Sequence, residues 1–206
     1  MALYIFILSC LHFINRHHAQ KSRASGYCYV ADCVLAILAL RKPPLGSPFP
    51  SRKPRIMYLD LDLHFSDAVS ESFYKSCTPG AIPQVLTLSI HHSSIGFFPP
   101  SPLASLPDPK SPAFDPFTLS IPLCQGASSA TFKRIWHIVE DIKKVFDPNF
   151  IIVQCGADGL AGDPCGVWNW RNGLEEGDMG WCINKLTQNW AGKLLLLGGG
   201  TGLPCI

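Results

Sequence analysis

Several short runs of this chain are apolar at nearly every position, which limits the folds open to it. Residues 55–64 (RIMYLDLDLH), 85–90 (VLTLSI), 150–155 (FIIVQC) and 193–197 (KLLLL) are of this kind. A strand with one wet face alternates apolar and polar side chains, whereas a strand apolar throughout is covered on both faces. Helical patterns lie between these runs, at about 30–41, 66–76, 130–146 and 178–190. The third repeats Ile135, Ile138, Val139, Ile142, Val145 and Phe146 at helical intervals and stops before Asp147-Pro148. One more strand is expected at 117–121. Such alternation predicts an α/β protein: a mainly parallel sheet between two helical layers, three layers in all.

Sheets of this class bind ligands beyond the carboxyl ends of their strands. Asp62 and His64, His91, Asp158 and the glycines at 198–200 all follow predicted strands, so four distant segments are expected to meet on one rim. If 60–64 stays extended, Asp60, Asp62 and His64 point to one side. Their α-carbons then lie roughly 6.6 Å apart for neighbours and roughly 13 Å for the outer pair. Asp62 and His64 can therefore share an ion, with Asp60 as a supporting carboxylate. Adding Asp158 gives two carboxylates and one imidazole, a set that leaves a tetrahedral zinc ion one open position. Such an ion acidifies a water and polarises a carbonyl. A histidine is then wanted as general base and acid, and the His17-His18 pair offers one, with Asp60 and Asp67 to orient the rings. Each feature alone has a plainer reading. Asp-x-Asp-x-His serves as surface polarity, Asp158 as a turn residue, His-His or His91-His92 as loop polarity, Phe97-Phe98 as core, and the glycine run as any tight turn. Their co-occurrence carries the functional reading.

A chain of 206 residues, 47% hydrophobic and 16% charged, suits one globular domain. Its net charge of +2 comes without a long basic run, which argues against nucleic acid as a direct ligand. The nine cysteines form no CxxC pair and read as reduced, mostly buried thiols of an intracellular protein. Residues 2–14 are apolar, but no positive residue precedes them and no small-x-small site follows. The run is also shorter than the ~20 residues of a membrane span. A buried strand or helix is expected there, and no membrane partner. Prolines make 43–54 a surface insertion and 99–116 a long structureless loop, functional or disordered.

The motifs His17-His18-Ala19, Ala24-Ser25-Gly26-Tyr27-Cys28-Tyr29, Tyr58-Leu59-Asp60-Leu61-Asp62-Leu63-His64, Gly96-Phe97-Phe98-Pro99, Gln154-Cys155-Gly156-Ala157-Asp158, Gly162-Asp163-Pro164 and Leu197-Gly198-Gly199-Gly200 form an ordered series. In order and spacing the series resembles the zinc-dependent class I histone deacetylase family. His64-Phe65-Ser66-Asp67 is closest to a fungal-type branch, where many relatives have His-His-Gly-Asp. The resemblance runs over residues 16–200 and implies an arginase/deacetylase-like fold, incomplete here, between an atypical apolar segment (1–15) and an atypical tail (201–206). It implies zinc held by Asp62, His64 and Asp158, His18 as general base and then acid, and His17 as an electrostatic aid. Asp60 would pair with His17 and Asp67 with His18. Gly26, Tyr27 and Phe98 would bind substrate, the two rings walling a channel for acetyl-lysine. Ser89 and the backbone of 60–64 would help hold a structural potassium ion.

The implied reaction is hydrolysis of the ε-N-acetyl amide of acetyl-lysine on histone tails or other acetylated proteins. Corepressor subunits would be partners in transcription repression, and the nucleus the main compartment with the cytoplasm second. One departure stands out. The family follows its glycine run with a further glycine and a tyrosine that stabilises the oxyanion, and here Thr201 and Gly202 occupy those places. Impaired turnover is the expectation. Two other readings remain: a catalytically dead binding or regulatory module, and a ureohydrolase-like enzyme with two manganese ions, for which no second set of Asp and His ligands is evident.

Overall fold

All five residues of β2 (Ile56–Asp60) and all eight of β3 (Val85–His92) are buried, so both faces of the sheet are covered. The computed structural model describes residues 6–7, 17–42, 53–77 and 81–198. Most of segment 1–15, the 43–52 part of the proline-rich insertion, the last two glycines of the run and the 201–206 tail lie outside these described residues. Among the described residues the sheet has six strands in the order β1-β6-β5-β2-β3-β4, with β1 (Phe6–Ile7), β4 (Thr118–Leu123), β5 (Phe150–Gln154) and β6 (Lys193–Leu197). Every neighbouring pair is parallel.

The period of two along each strand sorts the core into two layers. Ile56, Tyr58, Val85 and Ile152 meet Cys33 and Ile37 of α1 (Asp32–Leu40) and Val69 and Phe73 of α2 (Asp67–Phe73). Met57, Leu59, Leu86, Leu88, Ile151 and Val153 meet the other side. There they pack with Phe132, Trp136 and Val139 of α3 (Ser129–Phe146) and Cys182 and Leu186 of α4 (Met179–Thr187). The result is a three-layer α/β arrangement with a parallel sheet. In α3, Thr131 Oγ1 accepts from the Ser128 N–H at the start, and at the end Asp147 turns left-handed (φ 48°) so that its N–H reaches Lys143 O.

Several expectations need correction. β2 ends at Asp60 and residues 62–64 bend, so the spacing of an extended strand does not apply beyond Asp60. β3 continues through His92, which places His91 inside the strand rather than on the rim. The 30–41 helix is apolar nearly all round, yet Leu35 and Leu38 are exposed. The 99–116 loop is an ordered strap. It carries a 3-10 turn (Pro102–Ala104), whose Ala104 O accepts from His91 Nε2 at 3.0 Å and whose Leu103 O accepts from Ser120 Oγ at 2.7 Å. Farther along, Tyr74 donates to Ala113 O, and Asp115 accepts from Lys75 N, Phe117 N and Thr118 Oγ1. Cys165 is disulfide-bonded and Cys124 exposed, so the cysteines are not all buried thiols. Among the described residues no helix is long and apolar enough to cross a membrane.

Aromatic packing joins α3 to the loop before α4. Phe132 stacks on Trp170 with centroids 3.7 Å apart and planes 5° from parallel, and Trp170 Nε1 donates to Gly177 O. Trp170→Ala should cost about 3–5 kcal/mol in urea unfolding, while Val145→Ala on the exposed side of α3 should change stability by less than about 0.5 kcal/mol.

Candidate metal centre

The carboxyl ends of β2 and β5 lie side by side, with Asp60 registered against Gln154. Beyond them the chain stays tied down: Leu61 N donates to Gln154 O, Leu63 N to Asp158 Oδ1, and His92 N to Leu63 O. These bonds turn residues 62–64 toward the loop after β5. One oxygen each of Asp62 and Asp158 and one ring nitrogen of His64 lie within 4.8 Å of one another. His64 Nδ1 is 2.8 Å from Asp158 Oδ2 and 3.3 Å from Asp62 Oδ1.

The histidine pair stands against this cluster, with ring centroids 4.0 Å apart. His17 Nδ1 donates to Asp60 Oδ2 at 2.7 Å and its Nε2 is 3.6 Å from Asp62 Oδ1. His18 Nδ1 donates to Asp67 Oδ1 at 2.6 Å. Each imidazole therefore has its own carboxylate, and in the neutral ring each donation from Nδ1 leaves a lone pair on Nε2. His18 lies edge-on to Phe98 at 4.9 Å and to His64 at 6.0 Å. Tyr27 is half exposed and belongs to a two-residue turn closed by mutual Ser25 and Cys28 backbone bonds. Gly26 and Tyr27 both have positive φ (51° and 61°), as a type I′ turn requires. A Cβ on Gly26 would collide with the His18 ring and approach Phe98 Cε1 to 2.9 Å. Ser89, registered beside Asp60, is bonded to His91 Nδ1 at 3.0 Å, and neither His91 nor His92 joins the cluster.

The two adjacent histidines sit in opposed electrostatic surroundings. Burial disfavours charge on His17, but the Asp60 and Asp62 carboxylates outweigh it and raise its pKa to about 9. Burial and the neighbouring His17 lower His18 to about 4, more than Asp67 can offset. His64 rises to about 10 because its bonds to Asp158 and Asp62 overcome the cost of burial. Burial and repulsion from Asp158 raise Asp62 to about 6, whereas Asp158 is lowered: burial works against ionisation, but the hydrogen bond and charge of His64, the Leu63 N–H and the His17 charge together outweigh it.

A cation fits this donor set. Asp62 Oδ2 and His17 Nε2 are buried without a hydrogen-bond partner. Uncompensated buried carboxylate oxygens are costly, and an ion between Asp62 and Asp158 would answer that cost.

A family model described as the histone deacetylase domain matches residues 9–202. The chain belongs to the histone deacetylase family. It is 33% identical over 186 residues to Histone deacetylase 9 of Arabidopsis thaliana, an alignment covering 89% of this chain and 38% of that protein. It is likewise 33% identical over 189 residues to Histone deacetylase 8 of Xenopus laevis, covering 91% of this chain and 52% of that protein. Histone deacetylase RPD3 of Saccharomyces cerevisiae is 32% identical over 185 residues, with 89% and 37% covered. The chain thus spans between about a third and a half of the length of these relatives.

Three residues around the cluster stand in the quoted motifs, but the motif reading gave them no role. A Cβ on Gly156 would occupy the Asp62 carboxylate, so only glycine lets β5's loop close over that side chain. Tyr58 donates to Asp60 Oδ2, the same oxygen that accepts from His17; its even spacing from Asp60 on a strand was the available signal. Phe97 stacks on the His64 ring, centroids 5.0 Å apart and planes 15° from parallel.

Metal uptake must displace protons from this cluster. At pH 7.5 cation binding should release protons, with His64 the main source, and affinity should fall as pH is lowered. Calorimetry in two buffers of different ionisation enthalpy measures the released protons. Without metal, the raised His17 and His64 favour folding below pH 6.5, and that contribution disappears as pH rises through about 9 and 10. The melting temperature of metal-free protein should therefore fall across that window.

Proposed function

We propose that this chain carries the zinc centre of a protein lysine deacetylase, which hydrolyses the ε-N-acetyl amide of acetyl-lysine. The observation that supports this most is the Asp62, His64 and Asp158 cluster set against two histidines, each held by its own carboxylate. Two oxygens and one nitrogen suit zinc with an open position, and bound zinc would acidify a water and polarise the amide carbonyl. The chain's own residues do the rest. His18, neutral with its Nδ1 proton committed to Asp67, presents Nε2 to take the water's proton and later return it to the lysine amine. His17, held as an imidazolium by Asp60 and Asp62, places positive charge beside the developing oxyanion. Phe98, with the Gly26-Tyr27 turn against it, suits the apolar stem of acetyl-lysine. Potassium near Ser89 and the 60–64 backbone would stiffen the bend that carries the ligands. Acetylated histone tails are the proposed substrates, corepressor subunits the proposed partners and the nucleus the proposed compartment.

Thr201 and Gly202 follow the glycine run where the family resemblance calls for a glycine and the oxyanion-binding tyrosine. Loss of one such donor costs roughly 3–4 kcal/mol, about a hundred- to a thousandfold in rate. This favours impaired turnover and gives the binding-module reading its support. Purified protein should bind close to one zinc per chain by elemental analysis, and Asp158→Ala should abolish that binding. Turnover of an acetyl-lysine peptide should be slower than that of a full-length relative by about a hundredfold or more. Zinc binding with no turnover at all would favour the binding module, and absence of zinc would overturn the assignment.

A further inference from the structure

His64 is the one residue of the cluster whose side chain is appreciably open to solvent, at 18% against 0% and 1% for its two carboxylate partners. Its described hydrogen bonds both run through Nδ1 to those same carboxylates. An ion bound by this nitrogen would replace both bonds, so they cannot fix the ring once metal is present. Metal-bound imidazoles are ordinarily oriented by a bond from the second nitrogen. Here a ring face offers the alternative. Phe97 stacks on His64, and Phe97 in turn stands edge-on to His92, centroids 4.6 Å apart and planes 85° from parallel.

His92 is well suited to hold that stack. It is the last residue of β3, buried, and bonded at both nitrogens: Nδ1 to Leu123 O at 3.2 Å and Nε2 to Ser94 Oγ at 3.0 Å. A carbonyl only accepts, so Nδ1 carries the proton and Nε2 accepts from the serine hydroxyl. The ring is thereby fixed from β4 on one side and from the 93–96 turn on the other. The adjacent Phe98 lies edge-on to His18 at 4.9 Å and only farther off, tilted at 6.4 Å, from His64, so the stacked face of His64 belongs to Phe97.

We propose that His92 and Phe97 are positioning residues that set the plane of the His64 imidazole for metal binding, His92 acting through Phe97. This rests on the reading of Asp62, His64 and Asp158 as a metal centre. The test titrates Co2+ into the full chain against a competing chelator and follows the visible absorption band. Phe97→Ala should weaken Co2+ binding about tenfold and alter the band, and Phe97→Tyr should restore both. His92→Ala should weaken binding on its own but add nothing in the Phe97→Ala background, since both act along one stack. Thermal melts run alongside: lower melting temperatures with unchanged Co2+ affinity would mean a purely structural role and overturn the proposal, as would additive effects of the two changes. If the wild-type chain takes up no Co2+, the metal-centre reading fails by itself. The His64 ring proton resonances of the metal-free chain then decide the positioning role. They should shift or broaden in both alanine variants, and indifference to His92→Ala would overturn it.

Discussion

Three carboxylates buried at the end of β2 and β5 are the constraint that the surrounding structure answers. Asp60, Asp62 and Asp158 are almost wholly shielded from water, and buried charge persists only where hydrogen bonds or opposite charge replace hydration. Asp60 receives Tyr58, His17 and the Asp62 N–H. Asp158 receives the Leu63 N–H and His64. Asp62 receives the His64 N–H at Oδ1, yet its Oδ2 is left bare. Every oxygen of Asp60 and Asp158 thus has a partner, whereas Asp62 has its imidazole neighbours at Oδ1 alone.

The parallel sheet makes this arrangement affordable because every strand delivers its carboxyl end to the same rim. When β2 stops at Asp60, the following backbone donors remain within reach of β3 and the β5 loop, and they are spent on carboxylates and carbonyls rather than on a further strand. The histidine pair then divides by neighbour. Asp60 and Asp62 both act on His17, while His18 has Asp67 on one side and an imidazolium on the other. Two chemically identical side chains in direct contact are thus driven in opposite directions, one toward the charged form and the other toward the neutral.

The sequence made the layers and the ligand set legible for different reasons. Strands covered on both faces lack polar alternation, so β2, β3 and β5 are readable from composition alone and α3 from its periodicity, whereas β6, equally apolar, has Lys193 exposed and Leu195 to Leu197 only partly buried. The grouping of Asp62, His64 and Asp158 followed from strand-end placement, although the distances behind it assumed an extended chain that in fact bends after Asp60. Gly156, Tyr58 and Phe97 stand in the motifs, yet what they do was not legible there. Their contributions are a missing Cβ, a phenol under a carboxylate and a stacked ring face, which a motif does not specify. The order of the proline-rich strap was hidden likewise, since it depends on bonds from α2, β3 and β4 to carbonyls far away in sequence.

Phe65 shows how a departure in the ligand motif is absorbed by packing. The motif His64-Phe65-Ser66-Asp67 places an aromatic ring between a metal-cluster histidine and the carboxylate that holds His18. That ring is buried and meets His91 edge-on at 4.8 Å. His91 in turn binds Ser89 and the strap at Ala104. Ser66, also buried, bonds through its hydroxyl to Ser70 within the turn that opens α2. All four residues of the segment are thus fixed: His64 and Asp67 by polar partners at the cluster, Phe65 by His91 and Ser66 by Ser70. A phenylalanine at position 65 calls for burial and for no hydrogen-bond partner, and His64 and Asp67 on either side keep their bonds to Asp62, Asp158 and His18.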